Sequence, residues 1–236
     1  MLVRVVSPDA SEAGRIARAA ERDPRLLARI LREPRLHSWL FDHPHEMVSV
    51  CPQAYFAALL YRVRQDLATQ TFTRERDSGR MVIVFDIRQV RELLETDAVL
   101  AYLSWVLASF VKIHSVTRRV RVRPSVWRTY TISDYDIASL IGYADRLEPP
   151  RRPVIYRRIG EVALFQKGVF SDVPEKRDLV RVGIDSYRKA LDGGGVLPEE
   201  ADVIETVRDS FIQATKAYTF MADHYLGSLR TKVFVS

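Results

Sequence analysis

The sequence predicts a mainly α protein, a helical bundle with a small antiparallel β-sheet inserted in its N-terminal half. Two observations carry this. Apolar residues recur at helical spacing from Pro52 to Leu67 and again in most of the chain after Ser133. Between them, Thr71-Phe-Thr-Arg-Glu-Arg76 and Met81-Val-Ile-Val-Phe85 flank Asp77-Ser-Gly79, the pattern of two strands joined by a glycine-containing turn. Residues 1–131 are expected to form a helical region holding the sheet and residues 132–236 an all-helical bundle. No Pro/Gly/Ser-rich linker divides them, so one continuous body is expected.

The elements follow in order. Residues 1–6 are predicted as a strand, and Asp9 with Glu12 opens an Ala-rich helix. Arg22-Asp-Pro-Arg-Leu26 returns ten residues later as Arg32-Glu-Pro-Arg-Leu36, each copy placing an acid before a proline at a first helical position, which predicts two short helices. The period is too short for a solenoid. Pro52 starts a stronger helix with Tyr55, Phe56, Leu59, Leu60, Val63 and Leu67 on one face. Asp86 with Gln89 resembles a capping box for a helix through Leu94, and Thr96-Asp97 opens an apolar helix to about Ile113. A third strand between Val116 and Thr131 would complete the sheet.

Beyond Ser133 the stripe Ile137, Leu140, Ile141, Ala144 and Leu147 is stopped by Pro149-Pro150. Helices are expected at 153–170, at 174–191 with Gly193-Gly-Gly195 closing the second, and as one long helix from Pro198 to about Leu229. If unbroken, that last helix spans roughly 45 Å at about 1.5 Å per residue. Ile159-Gly160, Ala163-Leu164, Gly168, Tyr187 and Ala190-Leu191 resemble one tetratricopeptide pair over about 35 residues. The next helix is too long for that repeat and no second copy aligns, so the family is not assigned. Gly160 and Ala163 are expected to let neighbouring helices approach closely.

Composition bounds the function. The chain has 236 residues and a formal charge of +6, and its cations are 30 arginines and 6 lysines, a balance suited to an anionic partner. One cysteine, Cys51, excludes an intramolecular disulfide framework and any multi-cysteine zinc or iron–sulfur site. Met1–Val6 is interrupted by Arg4 and followed by Ser7-Pro8, unlike a signal peptide, and the longest apolar run, Ala98–Val111, is too short to span a bilayer. A cytoplasmic protein with no membrane partner is expected.

The basic stretch has the greatest weight. No Asp or Glu occurs between Asp97 and Asp134, whereas Lys112, Arg118, Arg119, Arg121, Arg123 and Arg128 all do. In Arg119-Val-Arg-Val-Arg123 the two-residue strand period puts the arginines on one face. Such a ladder fits a phosphodiester backbone, with Trp127 and Tyr130 as stacking surfaces; the bland alternative is an edge strand whose charge resists edge-to-edge pairing. A second cluster, Arg151, Arg152, Arg157 and Arg158, either joins this anion-binding surface through Arg151 and Arg152 or pairs with Glu148, Glu161 and neighbouring acids. A winged-helix reading of residues 52–131 fails, because Ala98–Val111 offers aromatic and aliphatic residues with two serines where base edges need polar side chains.

Other constellations are weaker. His37, His43, His45 and Cys51 lie near Asp42 and Glu46, but their spacing matches no familiar metal site, and Cys51 has no identifiable oxyanion donors beside it. Glu92, Glu95 and Asp97, like Glu199, Glu200 and Asp202, suit helix termini. The triglycine follows a helix and precedes no Lys-Ser/Thr, which excludes a phosphate loop. No catalytic residue, metal or cofactor is therefore assigned. The expectation is a non-catalytic binding or regulatory protein whose Arg-rich face holds RNA or DNA backbone. The alternatives are a helical scaffold for a protein partner or a second copy, and an enzyme whose site is assembled from residues distant in sequence.

Overall fold

The computed structural model describes residues 44, 48–49, 51–69, 73–77, 80–84, 87–111, 115–123, 126–170, 178–227 and 229–234; strand residues before 133, with 229 and 232, are described by backbone alone. The strand and helices expected before Pro44, the histidine group at 37, 43 and 45, the cap residue Asp86 and Lys112 lie outside these residues.

The protein is mainly helical. Helix α1 (Pro52–Thr69) buries Tyr55, Phe56, Leu59, Leu60, Val63 and Leu67, the stripe the sequence predicts. Helix α2 (Ile87–Glu95) and helix α3 (Asp97–Ser109) follow almost without a break. The latter stops earlier than its apolar run. At its end Ser109 Oγ donates to the Val106 carbonyl at 2.7 Å, and Phe110 turns inward to stack on Phe165 at 4.2 Å.

Strand β1 (Thr73–Asp77) pairs antiparallel with β2 (Arg80–Val84), and β3 (Ser115–Arg123) pairs with β4 (Val126–Ser133). Among the described residues no pairing links one hairpin to the other, so the small sheet expected here is not supported; each hairpin is a separate two-stranded ribbon. The segment predicted as one third strand forms two, Ser115–Arg123 and Val126–Ser133, which pair antiparallel.

Helix α4 (Ile137–Ala144) begins at Asp136, whose carboxylate accepts from Ser139 N at 2.8 Å. A 3₁₀ turn at Pro149–Arg151 leads into α5 (Arg152–Val169), which is buried on most sides and packs against α3, α4, α6 and α8. Helix α6 (Leu179–Asp192) starts at the Asp178 cap, later than the expected Pro174. Gly194, at φ +71°, supplies the left-handed residue beyond its end.

The long C-terminal helix is broken. It consists of α7 (Pro198–Asp209), α8 (Phe211–Met221), a π-turn over Ala222–Leu226 and α9 (Leu229–Phe234). Ser210, at φ −107° and ψ 32°, leaves helical geometry and lets Phe211 enter the core. There its ring occupies the space beside Gly183, where a Cβ would lie 2.1 Å from Cζ. Gly160 likewise meets the Tyr187 ring, so the close α5–α6 approach expected at Gly160 is real. One continuous apolar core runs from Val48 to Phe234, with Phe56, Phe110, Phe165 and Phe234 in ring contact through its centre.

Candidate functional site

Helix α5 carries Arg157, Arg158 and Glu161 at spacings of three and four, so both guanidiniums reach one carboxylate. Glu161 is 2% exposed, and its oxygens accept from Arg157 Nε at 3.0 Å and Arg158 Nη1 at 3.1 Å. Each arginine then reaches outward to a second acid. Arg157 grips Glu200, in the first turn of α7, at 2.6 and 3.2 Å, and Arg158 grips Asp134, just after β4, at 2.7 Å through both nitrogens of its fork. Arg158 also donates to Ser109 Oγ at 2.8 Å and lies 4.1 Å over the Phe110 ring.

Helix α3 supplies the opposite wall. Tyr102, Trp105 and Ser109 fall at i, i+3 and i+7, a polar and aromatic stripe on an otherwise apolar helix. The Tyr102 hydroxyl lies 3.3 Å from Glu161 Oε1 and 3.2 Å from the Tyr187 hydroxyl. Burial pushes the Glu161 carboxyl above its ordinary range while Arg158 and Arg157 pull the other way. Burial also raises Tyr102 and Tyr187, and the Glu161 charge reinforces both shifts. For the two guanidiniums burial works against the charge, but hydrogen bonds and the neighbouring acids outweigh it and raise both.

Above this network lies an open cleft of about 580 Å³ lined by Trp105, Ser109, Asp134, Val154, the two arginines and Glu161, with Gly195 and Glu200 at one edge. Gly195 is held against the backbone of Pro153, which brings the α6–α7 turn to the start of α5. Every guanidinium nitrogen of Arg157 and Arg158 already donates to an acceptor. The lining holds no histidine or cysteine, and among the described residues no three His, Cys, Asp or Glu side chains gather to hold a metal ion.

No protein-family model, curated protein or solved structure matches this chain.

The residues singled out from sequence are distributed differently. Arg118, Arg119, Arg121, Arg123, Trp127 and Arg128 fall on the β3–β4 ribbon, where Arg119 pairs with Thr129, Val120 with Arg128 and Arg121 with Trp127. The register then steps to Arg123 opposite Val126, a bulge that passes over Val122 and interrupts the two-residue period between Arg121 and Arg123. Arg151 is exposed in the 3₁₀ turn. Arg152 donates from Nε to the Leu147 carbonyl at 2.8 Å and so serves the chain leaving α4. Cys51 is exposed, immediately before α1. Among the described residues, no helix is long and apolar enough to cross a membrane.

Trp105, Ser109, Asp134 and Tyr187 escaped the sequence reading as site residues, and Glu200 was assigned only to a helix terminus. The available local signal was Arg157-Arg158-x-x-Glu161 on a helix that is apolar almost everywhere else, together with a tryptophan three residues from a tyrosine in another apolar helix.

Proposed function

We propose that this protein is a non-catalytic binding protein that holds nucleic-acid backbone on the β3–β4 ribbon, in the cytoplasm. The observation that carries the reading is the joining of five arginines, with no acid among them, on one antiparallel ribbon of eight residue pairs. Three further features support it. Arginine forks match phosphate geometry and their charges displace condensed counterions. A two-stranded β-ribbon has the width that a major groove admits, and a bulged ribbon twists more strongly. Of the second arginine cluster, Arg157 and Arg158 are committed to ion pairs with Glu161, Glu200 and Asp134, which favours the ribbon as the anion-binding region.

The test is fluorescence anisotropy with labelled RNA and DNA, single- and double-stranded, over a range of salt concentrations. Affinity is expected to fall steeply with salt. Replacing Arg119, Arg121 and Arg123 together with Ala should flatten the log–log salt slope by about 2–3, at roughly 0.7–0.9 per lost phosphate contact. No binding at low salt, or an unchanged slope in the triple variant, overturns the reading.

A further inference from the structure

The cleft beside Trp105 is not part of the ribbon, and its chemistry is opposite. Its lining carries Arg157 and Arg158 against Asp134, Glu161 and Glu200, a formal charge of −1 from two cations and three anions. The guanidinium donors are mostly engaged there, because every nitrogen makes at least one bond and seven of the ten N–H groups are used. Acceptors are not. Asp134 and Glu200 each receive two bonds from arginine, and their side chains remain 37% and 36% exposed. A carboxylate has about four lone-pair sites, so about half of the capacity of these two acceptors is left at a surface that faces water.

The apolar surroundings are equally specific. Trp105 is 41% exposed and Val154 60% exposed, and both line the cleft. Leu197, 58% exposed, stands in the chain between the lining residues Gly195 and Glu200. These are three of the five exposed large hydrophobics among the described residues, the other two being Ile141 and Ile212. Exposed apolar side chains gathered around a polar floor mark an interaction surface. The cleft is open, so a small ligand would stay largely in water, whereas a partner's flanking residues would cover the rim.

We propose that this cleft docks a protein partner through one lysine or arginine side chain flanked by apolar residues, the cation lying between Asp134 and Glu200 and the apolar neighbours covering Trp105, Val154 and Leu197. Charge complementarity selects the cation, since an anion would meet two exposed carboxylates and guanidiniums already paired with acids. The aromatic and aliphatic rim supplies the dry contact that an exposed ion pair lacks. This inference does not depend on nucleic-acid binding, and its test contains no nucleic acid.

The test is selection from a displayed library of seven-residue peptides with a randomised central residue, using the full-length chain as bait. The expected winners carry Lys or Arg between apolar residues. A synthetic winner should bind saturably and lose at least tenfold in affinity when its central lysine is Nε-acetylated. Trp105→Ala should weaken it at least fivefold. Glu200→Gln, which keeps an acceptor for Arg157, should reduce the preference for a basic centre, with both variants checked for folding by thermal melting. Failure to enrich any peptide overturns the proposal, as does enrichment of acidic or neutral centres or equal binding to Trp105→Ala. Binding of n-butylammonium as tight as that of the peptide also overturns it, because the cleft would then be a small-molecule site.

Discussion

Arg158 donates to both Ser109 and Asp134, at 2.8 Å and 2.7 Å, residues that stand on either side of the β3–β4 ribbon in the chain. The chain leaves the bundle at the end of α3 and returns at the start of the turn into α4, and one guanidinium on the central helix ties the two points together. Tyr135 strengthens the return, with its ring against Phe110 and Phe165 and its carbonyl accepting from Gln166 at 2.8 Å. The ribbon proposed to bind nucleic acid thus has a closed base anchored in the core.

Arg158→Ala removes three partnerships at once and leaves the buried Glu161 with one guanidinium. Breaking a buried ion pair from one side costs about 3–5 kcal/mol, the range expected in urea denaturation. Arg158→Lys keeps a charge but presents one ammonium where a fork binds both oxygens of Asp134, so it should fall between the two. Hydrogen exchange should speed up at residues 134–136 in both variants; unchanged exchange there would separate the ribbon's base from Arg158.

Glu161 makes a signed prediction about pH. Burial raises its folded-state pKa above the unfolded value, so in the interval between them the folded protein binds more protons. The contribution of Glu161 to stability is therefore complete below the unfolded value and is lost as pH rises through the folded one. The stability of the wild type minus that of Glu161→Gln should decrease as pH rises from about 4.5, taking the ordinary carboxyl value as the unfolded reference. Urea melts of both proteins between pH 4 and pH 7 measure this difference, and a rise with pH would mean that the two arginines outweigh burial.

Gly183 tests why the C-terminal helix breaks. A methyl group there collides with the Phe211 ring, which is buried at 1% exposure, so Gly183→Ala should destabilise by about 1–3 kcal/mol through overpacking. Phe211→Leu frees volume at the same point and leaves a void of its own. The double variant should then be less destabilised than the sum of the singles, which a double-mutant cycle reads directly. Simple additivity would place the two residues in separate packing environments.

Much of the helical architecture was legible locally. The stripe from Tyr55 to Leu67, the proline-stopped α4 region and the extent of α5 follow from apolar periodicity and from where proline and glycine interrupt it. The acid-free basic segment was also plain, because charge composition is a property of the sequence itself. Locally, the chain thus determines where helices form, which faces they bury and where positive charge accumulates.

Only the tertiary structure decided what pairs with what. The partners of Arg157 and Arg158 outside α5 stand 43 residues away at Glu200, 24 at Asp134 and 49 at Ser109, beyond the reach of helical spacing. Those contacts turn two arginines of a basic cluster into an internal ion-pair network, with an acidic cleft above it. The same reason explains the two misread elements. Strand pairing is non-local, so the two hairpins close on themselves where one sheet was expected, and the C-terminal helix breaks at Ser210 because the space beside Gly183 draws Phe211 inward. Periodicity is encoded by neighbours in the chain, whereas partners are chosen by packing and by the cost of leaving a buried charge or an apolar ring unmatched.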